Sequence, residues 1–417
     1  MLAASQIAIS IEAFIKIALL MGGLMTAAAY FVLLERWIAA WVQDRKGPNR
    51  VGIPFTKIKL FGLGQPLADG LKFIFKEEHT PKHVDKILFT LAPISILSAA
   101  LAVYACIPFG SVLPAGAIPG VDHQIDLIVA PGIDVGMIYI FALSSIAVYG
   151  VILGGWASNS KYSLIGGLRS SAQLIAYELP MGLAIVGVVL MTGSLRLEDV
   201  IGIQAKSGVW FAFQQPLGFV IFVVASFAEA ARLPFDLPEA EQELVGGYHT
   251  EYAGMRLIVY LIAEFLHMIT ASVLIVILFL GGWHFWGITG SGNDVGWFQA
   301  IARIVVLNVK IFFVIVFFMM IRWSWPRFRF DQLMSLAWKV MLPLGLVNLV
   351  AVACIVEFEK PWTEKFGTLG ITAGMWALSL LAWIAAGILA PLHSDNTARK
   401  DDFVLAAERR NLGLRSH

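Results

Sequence analysis

Stretches of about twenty apolar residues recur along this chain, and no other feature limits its fold so strongly. A helix needs about 20 such residues to cross a bilayer. Inside hydrocarbon every backbone N–H and C=O must find its partner within the protein, so a spanning segment of this length is a helix. The runs fall at about 12–34, 86–108, 135–156, 172–193, 216–233, 256–282, 300–323, 338–357 and 370–391. The chain is therefore predicted to be an all-α polytopic membrane protein with about nine transmembrane helices. The fifth run is the least clean, because Glu229 and Arg232 lie in its last turns. Composition agrees: 58% of residues are hydrophobic and 14% charged, against about 25% charged in a typical soluble domain. A net charge of +1 gives no footprint for nucleic acid. Cys106 and Cys354 both sit in apolar runs and no CxxC is present, so no cysteine-held cluster or zinc is expected. The N-terminus lacks a basic region ahead of a short apolar core, and no cleaved signal peptide is expected.

Loop charge sets the expected orientation. The 35–85 loop carries Arg36, Arg45, Lys46, Arg50, Lys57, Lys59, Lys72, Lys76 and Lys82, whereas the 109–134 loop has neither Lys nor Arg. Arg322, Arg327, Arg329 and Lys339 follow the seventh run, and Arg399, Lys400, Arg409, Arg410 and Arg415 follow the ninth. Basic segments thus follow odd-numbered spans, which puts the N-terminus outside and the C-terminus inside. The 234–255 loop is an inside loop that is acidic instead. No internal repeat or low-complexity segment is visible, and the whole chain, 1–417, reads as a single transmembrane domain. Within 35–85, the segment Pro66–Lys76 has apolar residues at 67, 71, 74 and 75. That is helical spacing with a polar opposite face, predicting an amphipathic helix at the inner surface. It serves either as a plain interfacial anchor or as a wall of a lipophilic pocket.

The acidic loop is the first functional candidate. Glu229, Asp236, Glu239, Glu241, Glu243 and Glu251 crowd between two apolar runs, Glu264 follows inside the next, and only Arg232 and Arg256 answer them. An ionisable group at a helix centre costs roughly 2.5–3.5 kcal/mol on insertion scales, so such groups are functional candidates by default. Asp236-Leu237-Pro238-Glu239 also reads as a helix start, with Asp236 as N-cap. Capping accounts for two of these acids and leaves the rest. Acids packed this densely disfavour one another's ionisation and become candidates for proton uptake. In the sixth run Arg256, Tyr260, Glu264 and His267 are spaced for one helical face. Such a stripe suits a proton path; the alternative is a polar helix–helix contact. Glu178 precedes Pro180, which frees a backbone carbonyl and predicts a hydrated cavity beside a kink. In the seventh run Arg303 reads as a residue snorkelling to the surface, and Lys310 as the partner of a carboxylate. His79 and His83 stand four apart, but Pro81 between them breaks the helix a metal pair would need, so no metal is expected. No Walker A or dinucleotide fingerprint is present, so NADH and flavin have no evident place here.

Five segments, ERWIAAWVQDRKGPNRVG (35–52), GQPLADGLKFIFKE (64–77), GWASNSKYSLIGGLRSSAQLIAYELP (155–180), AEAARLPFDLPEAEQELVGGYHTEYAGM (228–255) and RWSWPRFRFDQLMSLAWKVMLP (322–343), carry a close likeness. They resemble the respiratory complex I (NADH:quinone oxidoreductase) family of membrane subunits that meet the peripheral arm. The resemblance covers about residues 12–357 and leaves a ninth span and basic tail, 370–417, outside it. It implies a membrane subunit of proton-translocating NADH:quinone oxidoreductase that forms the quinone chamber and carries no redox centre. Quinone, ubiquinone or menaquinone, is then the substrate, while NADH, FMN and the Fe–S clusters are held by partner subunits. Those partners comprise the peripheral-arm quinone-site and Fe–S subunits and the small and antiporter-like membrane subunits. By resemblance, Glu35, Arg36, Gln65, Asp69, Lys72, Phe73, Phe235 and Asp236 line or border the quinone tunnel. Glu178, Glu229, Arg232, Glu239, Glu241, Glu243, Glu251, Tyr260, Glu264 and His267 belong to the coupling path. Arg327, Arg329 and Asp331 face the peripheral arm. The implied location is the bacterial inner membrane, N-terminus periplasmic and C-terminus cytoplasmic. One departure is notable: some members carry a carboxylate in the third span, where this chain offers only Ser144 and Ser145. A proton route there needs water or serine. The related anchor of a membrane-bound hydrogenase is the nearest alternative, and Arg36, Gln65–Lys72 and Arg327–Asp331 favour the quinone version. A stand-alone transporter lacks the expected repeat, and a purely structural anchor does not explain the buried acids.

Overall fold

Apolar runs become helices throughout the computed structural model, which describes residues 2–52, 61–114, 124–237, 245–286, 288–290 and 296–389. In chain order these are α1 (Leu2–Val42), α2 (Gln65–Phe75), α3 (Lys86–Ala102), α4 (Gly136–Ala157), α5 (Lys161–Thr192), α6 (Leu197–Ser207), α7 (Phe211–Gln214) and α8 (Pro216–Glu229). They continue as α9 (Gly254–Phe279), α10 (Trp297–Ser324), α11 (Phe330–Glu357) and α12 (Glu359–Leu389). Between α3 and α4, β1 (Val112–Leu113) pairs antiparallel with β2 (Ile125–Asp126). Among the described residues, eight helices are long and apolar enough to cross a membrane: α1, α3, α4, α5, α9, α10, α11 and α12. The protein is thus a multi-pass, all-α membrane protein, as the apolar runs require.

The fifth expected span differs. Its apolar run predicts a crossing at 216–233, but α8 has 14 residues and stops at Glu229. At 1.5 Å per residue it covers only about 21 Å of a roughly 30 Å hydrocarbon core. Its far end therefore finishes inside the bundle, where Ala230, Arg232 and Phe235 are buried. The fourth span is longer than expected: α5 begins at Lys161 and runs unbroken through Pro180. In α11, Pro343 cannot donate to the carbonyl four residues back, and the preceding stretch Leu336–Met341 widens into π-helix. The amphipathic segment is helix α2, and it buries none of its residues; Leu67, Leu71, Ile74 and Phe75 are all exposed.

The core lies around α9. From Ala263 to Phe279 nearly every residue of that helix is buried. It packs on α1, α3, α8 and α10. Around the rim, Phe14, Leu19, Phe313 and Ile388 are largely exposed. In water such faces would aggregate; in a bilayer the lipid tails solvate them. Helices α4 and α5 form a tight antiparallel pair. A Cβ on Gly155 would come within 2.7 Å of the Ser163 carbonyl oxygen, and one on Gly167 within 3.4 Å of the Gly155 Cα. Only hydrogen fits at this crossing, the small-residue contact that lets membrane helices approach closely. One end of the bundle carries α2 and the ends of α1 and α10; the other carries the β1–β2 hairpin.

Candidate functional site

Two cavities dominate the polar interior. The larger, about 440 Å³, lies at the α2 end and is lined by Glu35, Arg36, Arg45, Arg232, Glu264 and Arg322, with Phe265 below. Glu35 comes from the last third of α1 and is buried. Its carboxylate accepts from Arg232 Nη1 at 3.3 Å and from Arg322 Nη1. The Arg232 guanidinium stacks over the Phe265 ring at 4.3 Å, a cation–π contact that offsets part of its desolvation. At the rim, Arg36 Nη1 pairs with Asp69 of α2 at 2.7 Å, and Gln65 Nε2 donates to Asp69 at 3.1 Å. The Arg36–Asp69 pair fastens the amphipathic helix to α1, and the Gln65 bond within α2 holds Asp69 in place for it. Lys72 is exposed on α2 and Phe73 half-buried.

The second cavity, about 60 Å³, is lined by Ser144, Glu178, Glu229, Tyr260, Glu264 and His267, among others. That is room for a few water molecules. Ser144 Oγ donates to Glu229 Oε1, and Ser145 Oγ donates to Glu178 Oε1. The two hydroxyls of α4 thus tie it to α8 and to α5. Glu264 lines both cavities.

Eight of the expected residues line these two cavities: Glu35, Arg36 and Arg232 the larger, Glu178, Glu229, Tyr260 and His267 the smaller, and Glu264 both. Of the sixth-run stripe, Tyr260, Glu264 and His267 line the small cavity. Arg256 does not: it donates to Thr80 Oγ1 at 2.8 Å and lies over Phe89 at 5.3 Å. Glu251 is half-buried and is not among the residues lining either cavity. Asp236 is 2% exposed and pairs with Arg327 Nη2 at 3.0 Å. Phe235 packs between Tyr177 and Phe328, with ring centroids 5.3 and 5.5 Å away. Arg327 therefore turns inward, while Arg329 and Asp331 are exposed. Glu239, Glu241 and Glu243 fall in 238–244, outside the described residues, as does the helix expected to follow Asp236.

Two expectations for α10 are corrected. Among the described residues, Lys310 pairs with no carboxylate. Its Nζ donates to the carbonyls of Leu280, Gly282 and His284 at 2.7, 3.0 and 2.7 Å and sits over the Trp210 ring. Those carbonyls are the unpaired acceptors past the C-terminus of α9, where a cation is favoured. Burial, then the Lys310 and Arg303 cations, hold His284 below its ordinary value. Arg303 does not snorkel. It is buried, and it donates to the Thr289 carbonyl at 2.9 Å and Ser111 Oγ at 2.6 Å, closing the hairpin end.

Sequence reasoning missed Arg322, which it counted only as a loop charge, and Tyr248, which lines the small cavity. Neither had a spacing signal. Among the described residues no group of three or more His, Cys, Asp or Glu side chains could hold a metal ion. Near the small cavity, burial pushes the Tyr252 hydroxyl up to about 12.

Comparison with known proteins adds the family. A sequence model of the NADH dehydrogenase family matches residues 15–353. The H subunit of NADH-quinone oxidoreductase from Leptospira biflexa is 45% identical over 359 residues, 84% of this chain and 97% of that protein. An H subunit of the same-named enzyme from Geobacter metallireducens is 47% identical over 341 residues, 82% of this chain and 95% of that one. NADH-quinone oxidoreductase subunit 8 of Thermus thermophilus is 45% identical over 349 residues, 84% and 88% respectively.

Proposed function

Since the chain belongs to the NADH dehydrogenase family, we propose that it is the membrane subunit of a proton-translocating NADH:quinone oxidoreductase, forming the quinone chamber and coupling quinone reduction to proton movement. The redox centres and the NADH site sit in partner subunits, and this chain supplies charge and protons around the quinone. The larger cavity, walled by Glu35, Arg36, Arg232 and Arg322 beside the amphipathic α2, borders the quinone path, with Gln65, Asp69, Lys72, Phe73, Phe235 and Asp236 around it. Arg329 and Asp331 face the peripheral arm, and Arg327 beside them is turned inward onto Asp236. The host membrane is the bacterial inner membrane, with the α2 end on the cytoplasmic side.

One observation carries the coupling half of this reading: Glu264 lines both cavities. A change of charge in the quinone chamber reaches Glu264 at close range. From there Glu178 and Glu229 share one enclosed space, where low dielectric strengthens every such interaction. Arg232 couples to the same step through Glu35; Tyr260 and His267 complete the small cavity. Glu239, Glu241, Glu243 and Glu251 would feed protons from the loop.

The test uses membranes in which this chain carries Glu229→Gln. NADH-driven quinone reduction is expected to fall at least about tenfold, as for loss of a proton-transfer group. NADH–ferricyanide activity, which needs only the peripheral arm, is expected to persist. Equal quinone reduction and equal pumped protons in Glu229→Gln and in the parent would sink the coupling role.

A further inference from the structure

Ser144 and Ser145 stand where the two carboxylates of the small cavity meet α4, and their bonding differs from ordinary serine packing. A serine in a helix commonly returns its hydroxyl to the carbonyl four residues back. Ser145 does so, donating to the Phe141 carbonyl at 3.0 Å, yet the same oxygen is also within bonding reach of Glu178 Oε1. A hydroxyl has one hydrogen and two acceptor lone pairs. It cannot donate to both at once. When Glu178 is ionised, the Ser145 hydrogen points to the carboxylate. When Glu178 is protonated, the acid donates to Ser145 Oγ and the Ser145 hydrogen turns back to Phe141. Both states keep every group satisfied without moving the helix. Ser144 can likewise donate to an ionised Glu229 or accept from the protonated acid, without the return bond to a backbone carbonyl that Ser145 makes.

The register that brings these groups together is built into the helix pair. Ser145 and Glu178 lie ten and eleven residues from the Gly155–Gly167 crossing. Ten or eleven residues are about three helical turns, roughly 15–16 Å, so both side chains return to the contact face at nearly the same depth. Helix α8 ends at Glu229, which places its carboxylate on the Ser144 hydroxyl.

We propose that Ser144 and Ser145 are a hydroxyl pair that holds Glu229 and Glu178 toward their shared cavity in both charge states, and so sustains proton exchange between them. The inference rests on the coupling role proposed above. In the exchange, Glu178 gives its proton to a cavity water and that water gives another to Glu229. Ser145 turns from Phe141 to the new carboxylate, and Ser144 turns from donor to acceptor. One proton moves and no other species is consumed. Both serines are positioning residues. In this chain they take the place of a third-span carboxylate without adding a charge.

The experiment compares Ser144→Ala, Ser145→Ala, the double alanine variant and the matching Ser→Thr variants in the assembled enzyme. Three quantities are read: quinone reduction, protons pumped per quinone, and the carboxyl C=O band in reaction-induced infrared difference spectra. The band is assigned by its loss in Glu178→Gln and Glu229→Gln. Alanine is expected to shift that band and to lower coupled turnover about tenfold, the scale of one hydrogen bond to a charged group. Threonine, which keeps the hydroxyl, is expected to restore both. Alanine variants with unchanged band and pumping overturn the proposal, as does threonine impaired as deeply as alanine. If the double variant fails to assemble, the single variants decide on the same two readouts. Loss of pumping in the glutamine variants alongside intact alanine variants rejects the serines and keeps the coupling role. Intact pumping in the glutamine variants rejects the coupling role itself.

Discussion

Glu35 shows how burial decides the weight of an ion pair. It sits between Arg232 and Arg322, and the Arg232 and Glu35 side chains are 5% and 10% exposed. Removing one member of such a group leaves a buried charge, at a cost of about 3–5 kcal/mol. Arg36–Asp69 is a pair of similar geometry with 44% and 26% exposure, worth about 0–1 kcal/mol. Glu35→Gln is therefore expected to lower the unfolding temperature of this chain in the solubilised complex clearly, and Asp69→Asn hardly at all. Equal shifts would show that the large cavity is wetter than its lining implies. A second residue-scale prediction concerns Glu198 in α6, outside the spans. Burial first, then Asp126, raise its carboxyl above the ordinary value, with Arg196 opposing. The unfolded chain then releases this proton at lower pH than the folded one. Stability from this group is present below the ordinary carboxylate range and is lost as pH rises through the folded value. Glu198→Gln is expected to flatten that part of a stability–pH curve; an unchanged slope would assign it elsewhere. Sequence alone marked Glu35 and Glu178 as candidates, yet it gave Arg322 no role, because no local spacing reveals a partner 287 positions away.

Among elements, the α4–α5 pair carries the most specific demand. Its crossing at Gly155 and Gly167 sets the depth at which Ser145 meets Glu178. A side chain on Gly155 would press on the Ser163 backbone at 2.7 Å, and backbone cannot yield as a flexible side chain can. Gly155→Val is expected to push the helices apart and cost about 1–3 kcal/mol, as overpacking does. Proton pumping should fall with it. A variant of normal stability and pumping would mean the register is set elsewhere. The element most misread from sequence was α8. Its apolar run looked long enough to span up to 233, but the run ends at Ala228 and the helix breaks into a turn once its end is enclosed by protein. Hydropathy counts apolar residues and cannot tell whether lipid or other helices surround them.

For the molecule as a whole, α12 stands apart. The family match ends at 353, before this helix begins. It rests on α7, α8 and α11, with Trp376 Nε1 donating to the Phe213 carbonyl at 3.1 Å. Among the described residues, none from this helix lines either of the two polar cavities. Deleting 359–417 is expected to leave NADH-driven quinone reduction largely intact while lowering thermal stability, measured on the purified complex. Loss of assembly on deletion would make α12 part of the core.

The sequence by itself determined the membrane class, the number and rough placement of the apolar segments, the amphipathic α2 and the family. Each of these rests on local composition or on short motifs, which a linear chain displays directly. Tertiary structure alone decided that α8 ends at Glu229 and that Lys310 caps α9. It also decided that Glu264 stands between two cavities and that two serines grip two glutamates. Those facts depend on which faces of distant helices meet, and on hydrogen bonds that an enclosed polar group must find wherever packing offers them.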